Sequence, residues 1–388
     1  MRLLLTLPCA FLGAALVWGC SDPPPADEPD GGIEDGTDGS DAGTGGTIGG
    51  STGGTTSVDP ADDLPGDPPY GHPDTAATYP SYPGFKLWLV EEFESAIDLD
   101  TDPIWTWSDG GLSEGLVRFT KEGISFQDGK MMLTVDEAAD VGATTQSCSH
   151  AEYSTVFDKP LISGEMRTKH NMFRYGRYEA RLRAPSVKPN DTVTNGNYVA
   201  TLFVFRTPKF ANWREIDIEV TGNGPGTVTT NLITADDTFA WNANIQEVES
   251  HEVPELDSRS DFHDYAFEWV PDRITWYLDG EVMQERLASD GGLPIPEMSA
   301  KIMMNLWIFN GGGFGGPNGA NNEYPMHSEY EWVRFYKWDE DSTYPCKAMN
   351  PGACLTTQDR MLESNNPCDG LPHRGKINGK DACQATCK

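Results

Sequence analysis

The stretch RITWYLDGEVMQERL, residues 273–287, consists of two strand-like runs on either side of Asp279-Gly280. An Asp-Gly pair between two such runs is a strong signal for a two-residue β-hairpin. Similar short runs, separated by turn residues, recur from about residue 84 to residue 338, and none has a helical period over three turns. The pattern predicts an all-β fold, a sandwich or jelly roll of antiparallel strands, with Trp269 and Trp276 packed in its core.

The sequence before this region has a different composition. The chain of 388 residues has a formal net charge of −32, with 28 Lys and Arg against 60 Asp and Glu. Residues 21–75 contain many of the acids and neither Lys nor Arg, and they are rich in Gly, Ser, Thr and Pro. Such a segment buries too little apolar surface to fold, which predicts a disordered acidic linker. Because the chain has no basic stripe, we expect no nucleic-acid partner.

The first twenty residues predict export. Arg2 is followed by an apolar run that ends at Cys20, and the run is too short to span a membrane. These are the features of a secretory signal peptide. The end of the run, Val17-Trp18-Gly19-Cys20, resembles a bacterial lipobox, which implies lipidation of Cys20 and attachment to a membrane by that lipid. The alternative is ordinary cleavage to a secreted product, and both readings predict an extracytoplasmic location.

The remaining cysteines indicate disulfides. Without Cys9 in the signal and Cys20 at the lipid site an even number remains, and most of these lie in residues 341–388. In an exported chain this predicts a small disulfide-rich C-terminal appendage with one bond back to the main domain. The appendage is a binding module, a partner contact or a cap over a sheet edge. Zinc is not indicated, because the sequence has no paired cysteines and histidines at the spacing of zinc ligands. The disulfide candidates are Cys148, Cys346, Cys354, Cys368, Cys383 and Cys387.

The stretch NWREIDIEVTG, residues 212–222, places Glu215, Asp217 and Glu219 at alternate positions. Side chains alternate faces along a strand, so the acids share one face while Ile216 and Ile218 take the other. Three carboxyls in one groove cannot all ionise cheaply, so at least one pKa is raised. A protonated acid beside an ionised one is the pair that double-displacement glycoside hydrolysis requires. The spacing does not decide which Glu has which role, and a solvated strand face is the alternative.

The surrounding motifs resemble those of glycoside hydrolase family 16, the β-jelly-roll endoglycanases. WREIDIEVTG resembles the active-site strand of that family, SGEMRTKHNMFRYGRYEARLRAP its run into the concave sheet, and HDYAFEWVPDRITWYLDGE its central hairpin. KIMMNLW and EYEWVRFY resemble its closing strands, and the unbulged E-x-D-x-E spacing is most similar to the bacterial lichenases. The resemblance implies a catalytic domain over residues 76–340, in which two antiparallel sheets form a jelly-roll sandwich with a concave substrate cleft.

By this resemblance Glu215 is the nucleophile, Asp217 the assisting carboxylate and Glu219 the general acid/base of a retaining endo-β-glucanase. The implied partner is a polysaccharide, in first place mixed-linkage β-1,3-1,4-glucan, with no cofactor required and a monomeric protein. Some lichenases bind a structural calcium through an acid at the position of Glu331, so a calcium site there is one expectation and a surface Glu the other. The resemblance also implies a sugar cleft lined by Trp213, Phe203, Phe205, Glu165, Arg167, Asn231, Asn305 and Trp307.

Departures from the family pattern leave the glucan open. Leu232-Ile233 stand where lichenases have tyrosines, the lichenase disulfide has no counterpart, and the Gly-rich insert FNGGGFGGP lies after Trp307. One alternative is an enzyme of the same fold that hydrolyses xyloglucan, laminarin or galactan, and another is a transglycosylase. A non-catalytic glycan-binding surface protein is disfavoured because all three acids are present.

Overall fold

The structure is a computed structural model, and the residues that it describes are 68–108, 111–112, 114–138, 159–169, 171–188, 195–206, 212–236, 243–316, 319–340, 376–377 and 380–381. They all lie in one compact unit, Ser57–Lys388. The signal sequence, the Cys20 lipidation site, most of the linker and every disulfide candidate lie outside the described residues. Within the described part of the chain, no helix is long and apolar enough to cross a membrane.

The described residues form strands joined by turns, and their only helical segments are single 3-10 turns, which confirms the all-β prediction. The 3-10 turns are Lys121–Gly123, Ala243–Ile245, Ala288–Asp290 and Gly319–Asn321. The strands are β1 Tyr70–His72, β2 Phe85–Glu91, β3 Trp105–Trp107, β4 Val117–Phe119, β5 Ile124–Gln127, β6 Lys130–Glu137, β7 Leu161–Ser163, β8 Glu165–Thr168, β9 Gly176–Arg183, β10 Val199–Phe205, β11 Asn212–Thr221, β12 Thr227–Asp236, β13 Gln246–Glu252, β14 His263–Val270, β15 Arg273–Leu278, β16 Glu281–Leu287, β17 Lys301–Trp307, β18 Met326–Trp338, β19 Lys376–Ile377 and β20 Lys380–Asp381.

Two large sheets account for β1 to β18. The inner sheet has the order β13-β12-β11-β10-β17-β8-β3. The outer sheet has the order β16-β15-β14-β9-β18-β6-β7-β4, with β2 also beside β18, β1 beside β2 and β5 beside β6. Most pairs are antiparallel as expected, but β1–β2 and β4–β7 are parallel, which corrects the prediction of purely antiparallel sheets. β19 and β20 form a separate two-stranded sheet.

The hairpin at Asp279-Gly280 is present between β15 and β16. Both turn residues have positive φ, 49° for Asp279 and 83° for Gly280. A two-residue turn with positive φ at both positions matches the right-handed twist of the strands that it joins. The geometry of the turn therefore confirms the hairpin that the Asp-Gly pair predicts. The pairing changes register between Trp276 and Tyr277, and the extra residue is Met283, so β16 contains a β-bulge.

The facing sides of the two sheets form one hydrophobic core. The inner sheet supplies Ile216 and Ile218 of β11, both fully buried, and the outer sheet supplies Trp269 and Trp276. Burial of large apolar side chains of this kind stabilises the fold by about 25 cal/mol per Å² of apolar surface. The prediction that both tryptophans pack in the core is confirmed.

The N-terminal strand corrects one predicted boundary. The linker was expected to extend to residue 75, but Tyr70–His72 form β1 and pair with β2. Tyr70 is 6% exposed and its ring packs edge-on against Trp88, with 5.9 Å between the ring centroids. The physical reason is that one aromatic residue supplies the apolar area that the preceding Gly- and Asp-rich sequence lacks.

The outer face of the outer sheet, which points away from the core, is crossed by ion pairs. Arg177 of β9 donates to Glu179 at 3.0 Å and to Glu268 at 3.1 Å, and all three side chains are largely buried. The ring of Tyr82 lies 4.1 Å from the Arg177 guanidinium, and its hydroxyl donates to Glu179. The segment between β1 and β2 therefore packs on this face, and it covers the charged side chains from water.

Candidate active site

The three acids of β11 lie on one face of the inner sheet, which we call the acid face. Glu215, Asp217 and Glu219 alternate with Ile216 and Ile218, whose side chains are fully buried in the core. β11 has two strands on one side and four on the other. The alternation predicted from sequence is confirmed, and the acids stand over the interior of the sheet and not at an edge.

Strand pairing brings the predicted lining residues to the same face, because residues that lie opposite each other in an antiparallel pair share a face. On β12, Asn231 is opposite Asp217. On the other side, the partners on β10 are Thr201 for Glu219, Phe203 for Asp217 and Phe205 for Glu215. Pairing continues outward from β10 through β17 and β8 to β3: Phe205 with Lys301, Phe203 with Met303, Val199 with Trp307, Met303 with Arg167, Asn305 with Glu165, and Arg167 with Thr106.

Glu215 is held by the tryptophan that precedes it on the same face. The indole N–H of Trp213 donates to Oε2 of Glu215 at 2.5 Å. The Trp213 ring is 6% exposed and packs edge-on against Phe205 at 6.4 Å between centroids. A hydrogen bond from an indole to a carboxylate favours the ionised form of the acid. This contact holds one carboxylate oxygen of Glu215 in a defined position.

Asp217, in the middle of the row, is buried between the other two acids. Burial raises its pKa well above the ordinary value, and the charges of Glu215 and Glu219 raise it further. Its side chain also shares a hydrogen bond with Glu215, while a hydrogen bond from Asn231 favours the anion and acts in the opposite direction. With the proton on Asp217, the Asp217–Glu215 hydrogen bond leaves the negative charge on Glu215.

Glu219 is the second acid with a raised pKa. Desolvation, and after it the charge of Glu215, raises the pKa of Glu219 to about 8. The side chain is partly exposed, but its Oε2 is buried and has no hydrogen-bond partner among the described residues. A carboxylic acid that is protonated at neutral pH and whose oxygen is not engaged can donate its proton to a ligand. The row thus combines Glu215, whose charge raises the pKa of both neighbours, with Asp217 and Glu219, whose pKa values are raised.

Glu165 and Asn305 form a buried polar pair farther along the acid face. The Asn305 amide donates to Oε2 of Glu165 at 2.8 Å, and its Oδ1 accepts from the Thr201 hydroxyl at 2.8 Å. Burial raises the pKa of Glu165, while the hydrogen bond from Asn305 opposes this shift; the backbone N–H of Ser108, which follows β3, donates to the Glu165 backbone oxygen at 3.1 Å. The chain of contacts connects β3, β8, β17 and β10, so it fixes the side chains of four strands beside the acid row.

Two of the predicted lining residues are more enclosed than a sugar contact alone requires. Arg167 is 2% exposed and donates to the carbonyl oxygen of Thr168 at 3.1 Å. Trp307 is 5% exposed and packs near Phe309 and Phe314, with centroid distances of 6.0 and 6.2 Å. The Gly-rich insert thus covers Trp307 at one end of its strand, as far as the described residues of the insert show.

Sequence reasoning missed several residues of the acid face. Thr201, Ser108, Met303 and Lys301 belong to this face or contact it, and none was predicted. The alternation of KIMMNLW, which puts Lys301, Met303, Asn305 and Trp307 on one side, is the signal that would have found two of them. Ser108 gave no such signal, because it follows a three-residue strand that joins the sheet far from its sequence neighbours.

Glu331, where the sequence leaves a calcium site or a surface Glu open, lies in an ion pair on the outer sheet. Oε2 of Glu331 accepts from Arg181 at 2.8 Å, and the same guanidinium donates to Asp264 at 2.6 Å. The two carboxylates therefore share one guanidinium, and the calcium site stays a prediction. Nowhere in the described part of the chain do three or more His, Cys, Asp or Glu side chains form a group that could hold a metal ion.

Comparison with known proteins shows what the chain is similar to. The sequence profile of glycosyl hydrolases family 16 matches residues 116–334. A beta-glucanase of Acetivibrio thermocellus is 32% identical over 267 residues, which are 66% of this chain and 62% of that protein. A beta-glucanase of Paenibacillus polymyxa is 32% identical over 218 residues, which are 54% of this chain and 79% of that protein.

Among solved structures, the catalytic domain of an endo-1,3-beta-glucanase (laminarinase) from Thermotoga petrophila RKU-1 aligns with a TM-score of 0.52 at 19% identity. The alignment covers 66% of this chain and 99% of that chain, so it supports the same fold. The chain spans less than two thirds, 62%, of the length of the Acetivibrio relative.

Proposed function

The chain belongs to glycosyl hydrolase family 16, and from that premise we propose that it is an endo-acting β-glucanase that hydrolyses its polysaccharide with retention of configuration. The observation that carries the proposal is the row of three acids on one face of β11, in which an indole N–H holds Glu215 and the buried Oε2 of Glu219 has no hydrogen-bond partner among the described residues. Glu215 bears the charge that raises the pKa of both neighbours, whereas the pKa of Glu219 is about 8. Double displacement requires this combination of one carboxylate and one carboxylic acid.

The proposed steps assign one role to each acid. Glu215 attacks the anomeric carbon while the proton of Glu219 passes to the leaving glycosidic oxygen, which gives a covalent glycosyl-enzyme. Glu219 then takes a proton from water, and the resulting hydroxide displaces Glu215 from the same carbon. Asp217 keeps Glu215 ionised and oriented through their shared hydrogen bond. The bond from Trp213 holds the Oε2 oxygen of Glu215, which orients the carboxylate that acts as the nucleophile.

The acid face supports a sugar polymer as the substrate. Trp213 and Phe205 stand at one end of the acid row, and Phe203 lies beside its centre. Sugar rings present apolar C–H faces that pack on aromatic planes, and their hydroxyls bond to groups such as Asn231 and Glu165. The relatives named beta-glucanase support a β-glucan, and mixed-linkage β-1,3-1,4-glucan is the substrate that we propose first.

Chemical rescue tests the assignment of the two glutamates. In Glu215→Ala, azide can replace the missing nucleophile and attack from its side, so an activated β-glycoside is expected to give the α-glycosyl azide. In Glu219→Ala, azide attacks the glycosyl-enzyme formed on Glu215, so the β-glycosyl azide is expected. Glu249→Gln, an exposed acid of β13 in the same sheet, serves as the control and should retain the activity of the natural chain. Full activity of Glu215→Ala on every β-glucan would contradict the proposal.

A further inference from the structure

One hydrogen bond crosses the core and ends on the strand that carries the acids. Trp276 of β15 is 1% exposed, and its indole N–H donates to the backbone oxygen of Asp217 at 3.0 Å. The donor belongs to the outer sheet and the acceptor to the inner sheet. Core packing alone, which the sequence predicts for Trp276, does not require such an acceptor.

A β-bulge lies on the strand paired with Trp276. The pairing of β15 with β16 runs from Trp276 opposite Gln284 to Tyr277 opposite Val282, so the extra residue is Met283 of β16. A bulge of this kind bends the bulged strand and increases the local twist. The irregularity is therefore next to Trp276 in the sheet, while the direction of the indole is defined by its bond to the Asp217 oxygen.

A second bond of the same kind reaches the neighbouring inner strand. Tyr330 of β18 is fully buried, and its hydroxyl donates to the backbone oxygen of Thr201 at 2.8 Å. Thr201 lies opposite Glu219 and is also hydrogen-bonded to Asn305. These two bonds join the outer sheet to the inner sheet next to the acids, one at Asp217 itself and one at Thr201, which lies opposite Glu219.

The effect of the Trp276 bond follows from the hydrogen-bonding capacity of a carbonyl. A carbonyl oxygen has two lone pairs, so the Asp217 oxygen can accept one hydrogen bond from the neighbouring strand and a second from the indole of Trp276. The second bond fixes how far the backbone of Asp217 lies from the core. The coupling among the three acids depends on the distances between their carboxyls, so a displacement of this backbone changes both their geometry and their pKa values.

We propose that Trp276 is a positioning residue for the acid row, which sets the placement of Asp217 relative to Glu215 and Glu219 through the bond to the Asp217 backbone oxygen. The inference rests on the proposed function for its link to catalysis. The placement of the acids by Trp276 can be tested without any measurement of activity.

Trp269 offers a matched control. It is fully buried in the same core, and its indole N–H also donates to a backbone oxygen, that of Pro296, at 2.8 Å. Pro296 lies outside the strands of the inner sheet, and its segment reaches the acid strand only through the exposed side chain of Glu297, which accepts from Arg214. Phenylalanine at either position removes an indole donor and a similar area of buried ring, so the two variants differ chiefly in the acceptor that is released.

The experiment compares Trp276→Phe with Trp269→Phe in the full chain. For Trp276→Phe we expect kcat on β-glucan to fall by about tenfold or more with little change in KM, since a misplacement of about 1 Å can cost a hundredfold. We also expect the pH–rate profile to shift, and we expect Trp269→Phe to keep the natural profile even where its stability falls. A natural profile and kcat in Trp276→Phe, or equal changes in both variants, would overturn the inference.

Two further measurements keep the result decisive. Replacement of Trp276 by 3-benzothienylalanine keeps the ring shape and removes only the N–H donor, so it should reproduce the shift if Trp276→Phe folds poorly. The pH dependence of unfolding reports the raised pKa values of the acids without any substrate. If the natural chain hydrolyses no glucan, the proposed function fails, and a pH dependence that is altered in Trp276→Phe but not in Trp269→Phe would still support the positioning role. An unaltered dependence together with unaltered kinetics would reject it.

Discussion

The substitution Glu219→Gln should make the protein more stable at neutral and alkaline pH. The folded-state pKa of Glu219 is about 8, against a reference value of 4.5. Below the unfolded-state pKa the carboxyl is protonated in both states and costs no stability. Between the unfolded-state and the folded-state pKa only the unfolded chain loses the proton, so the free energy of unfolding falls as the pH rises. The natural chain therefore loses stability through Glu219 between about pH 4.5 and pH 8. Glutamine has the same shape and does not ionise, so the variant lacks that loss.

The size of the effect follows from the proton that the folded state retains. One such proton changes the free energy of unfolding by about 1.4 kcal/mol per pH unit, so the difference between pH 5 and pH 7 is about 2.7 kcal/mol. That is a large share of the roughly 5–15 kcal/mol that stabilises an ordinary domain. The origin of the loss is the desolvation of Glu219 and the charge of Glu215, with no hydrogen bond to the buried Oε2 from the described residues.

The assay is urea unfolding followed by tryptophan fluorescence at half-unit steps from pH 4.5 to pH 8.5. The quantity to compare is the free energy of unfolding of Glu219→Gln minus that of the natural chain, which cancels the titration of the acids outside the row. This difference should rise with pH and level off near pH 8. Glu249→Gln, which removes an exposed acid of β13, should give a flat difference. A flat difference for Glu219→Gln as well would refute the reasoning about its burial.

Three other outcomes are expected. Glu215→Gln removes the charge that raises the pKa of the other two acids, so its free energy of unfolding should fall less steeply from pH 5 to pH 8. Asn305→Ala removes the hydrogen bond that the buried carboxyl of Glu165 accepts, so the free energy of unfolding in urea at pH 7 should fall by about 1–3 kcal/mol. An unchanged free energy of unfolding would show that Glu165 is solvated there. Arg177→Met removes the nearest cation from two largely buried carboxylates, which keep Arg334 at 3.8 Å and Arg273 at 3.9 Å, and it should cost about 3 kcal/mol. Arg181→Met, whose partners are more exposed, should cost less than about 1 kcal/mol, and equal losses would contradict the role of burial.

Local sequence rules were sufficient to predict most strands and the acid row. Alternation along β11 put three acids on one face and two isoleucines in the core, and the register of the sheet agrees. The turn at Asp279-Gly280 was predictable because few residue pairs adopt positive φ at two successive positions. Both features depend only on residues that are neighbours in the sequence, so they can be predicted from one sequence without the structure.

The order of the strands was not predictable in the same way. β8 and β3 continue the inner sheet beyond β17, although they come much earlier in the chain, so the contact of Ser108 with Glu165 could not be inferred from spacing. β13 was missed because its sequence, QEVESHE, is charged and lies at a sheet edge, where little burial is needed. The bond from Trp276 to Asp217 depends on the packing of two sheets, and a periodic pattern contains no information about that distance.

The attachment of the N-terminal segment has a mechanical consequence. Its first strand, β1, lies parallel to β2 in the outer sheet, and Tyr82 is held on the outer face by Arg177 and Glu179. A pull applied to the chain ahead of residue 68 would load the β1–β2 ladder along the strands, so several hydrogen bonds would have to yield together. The acids lie on β11 of the inner sheet, so such a load enters the molecule through the sheet that does not carry them.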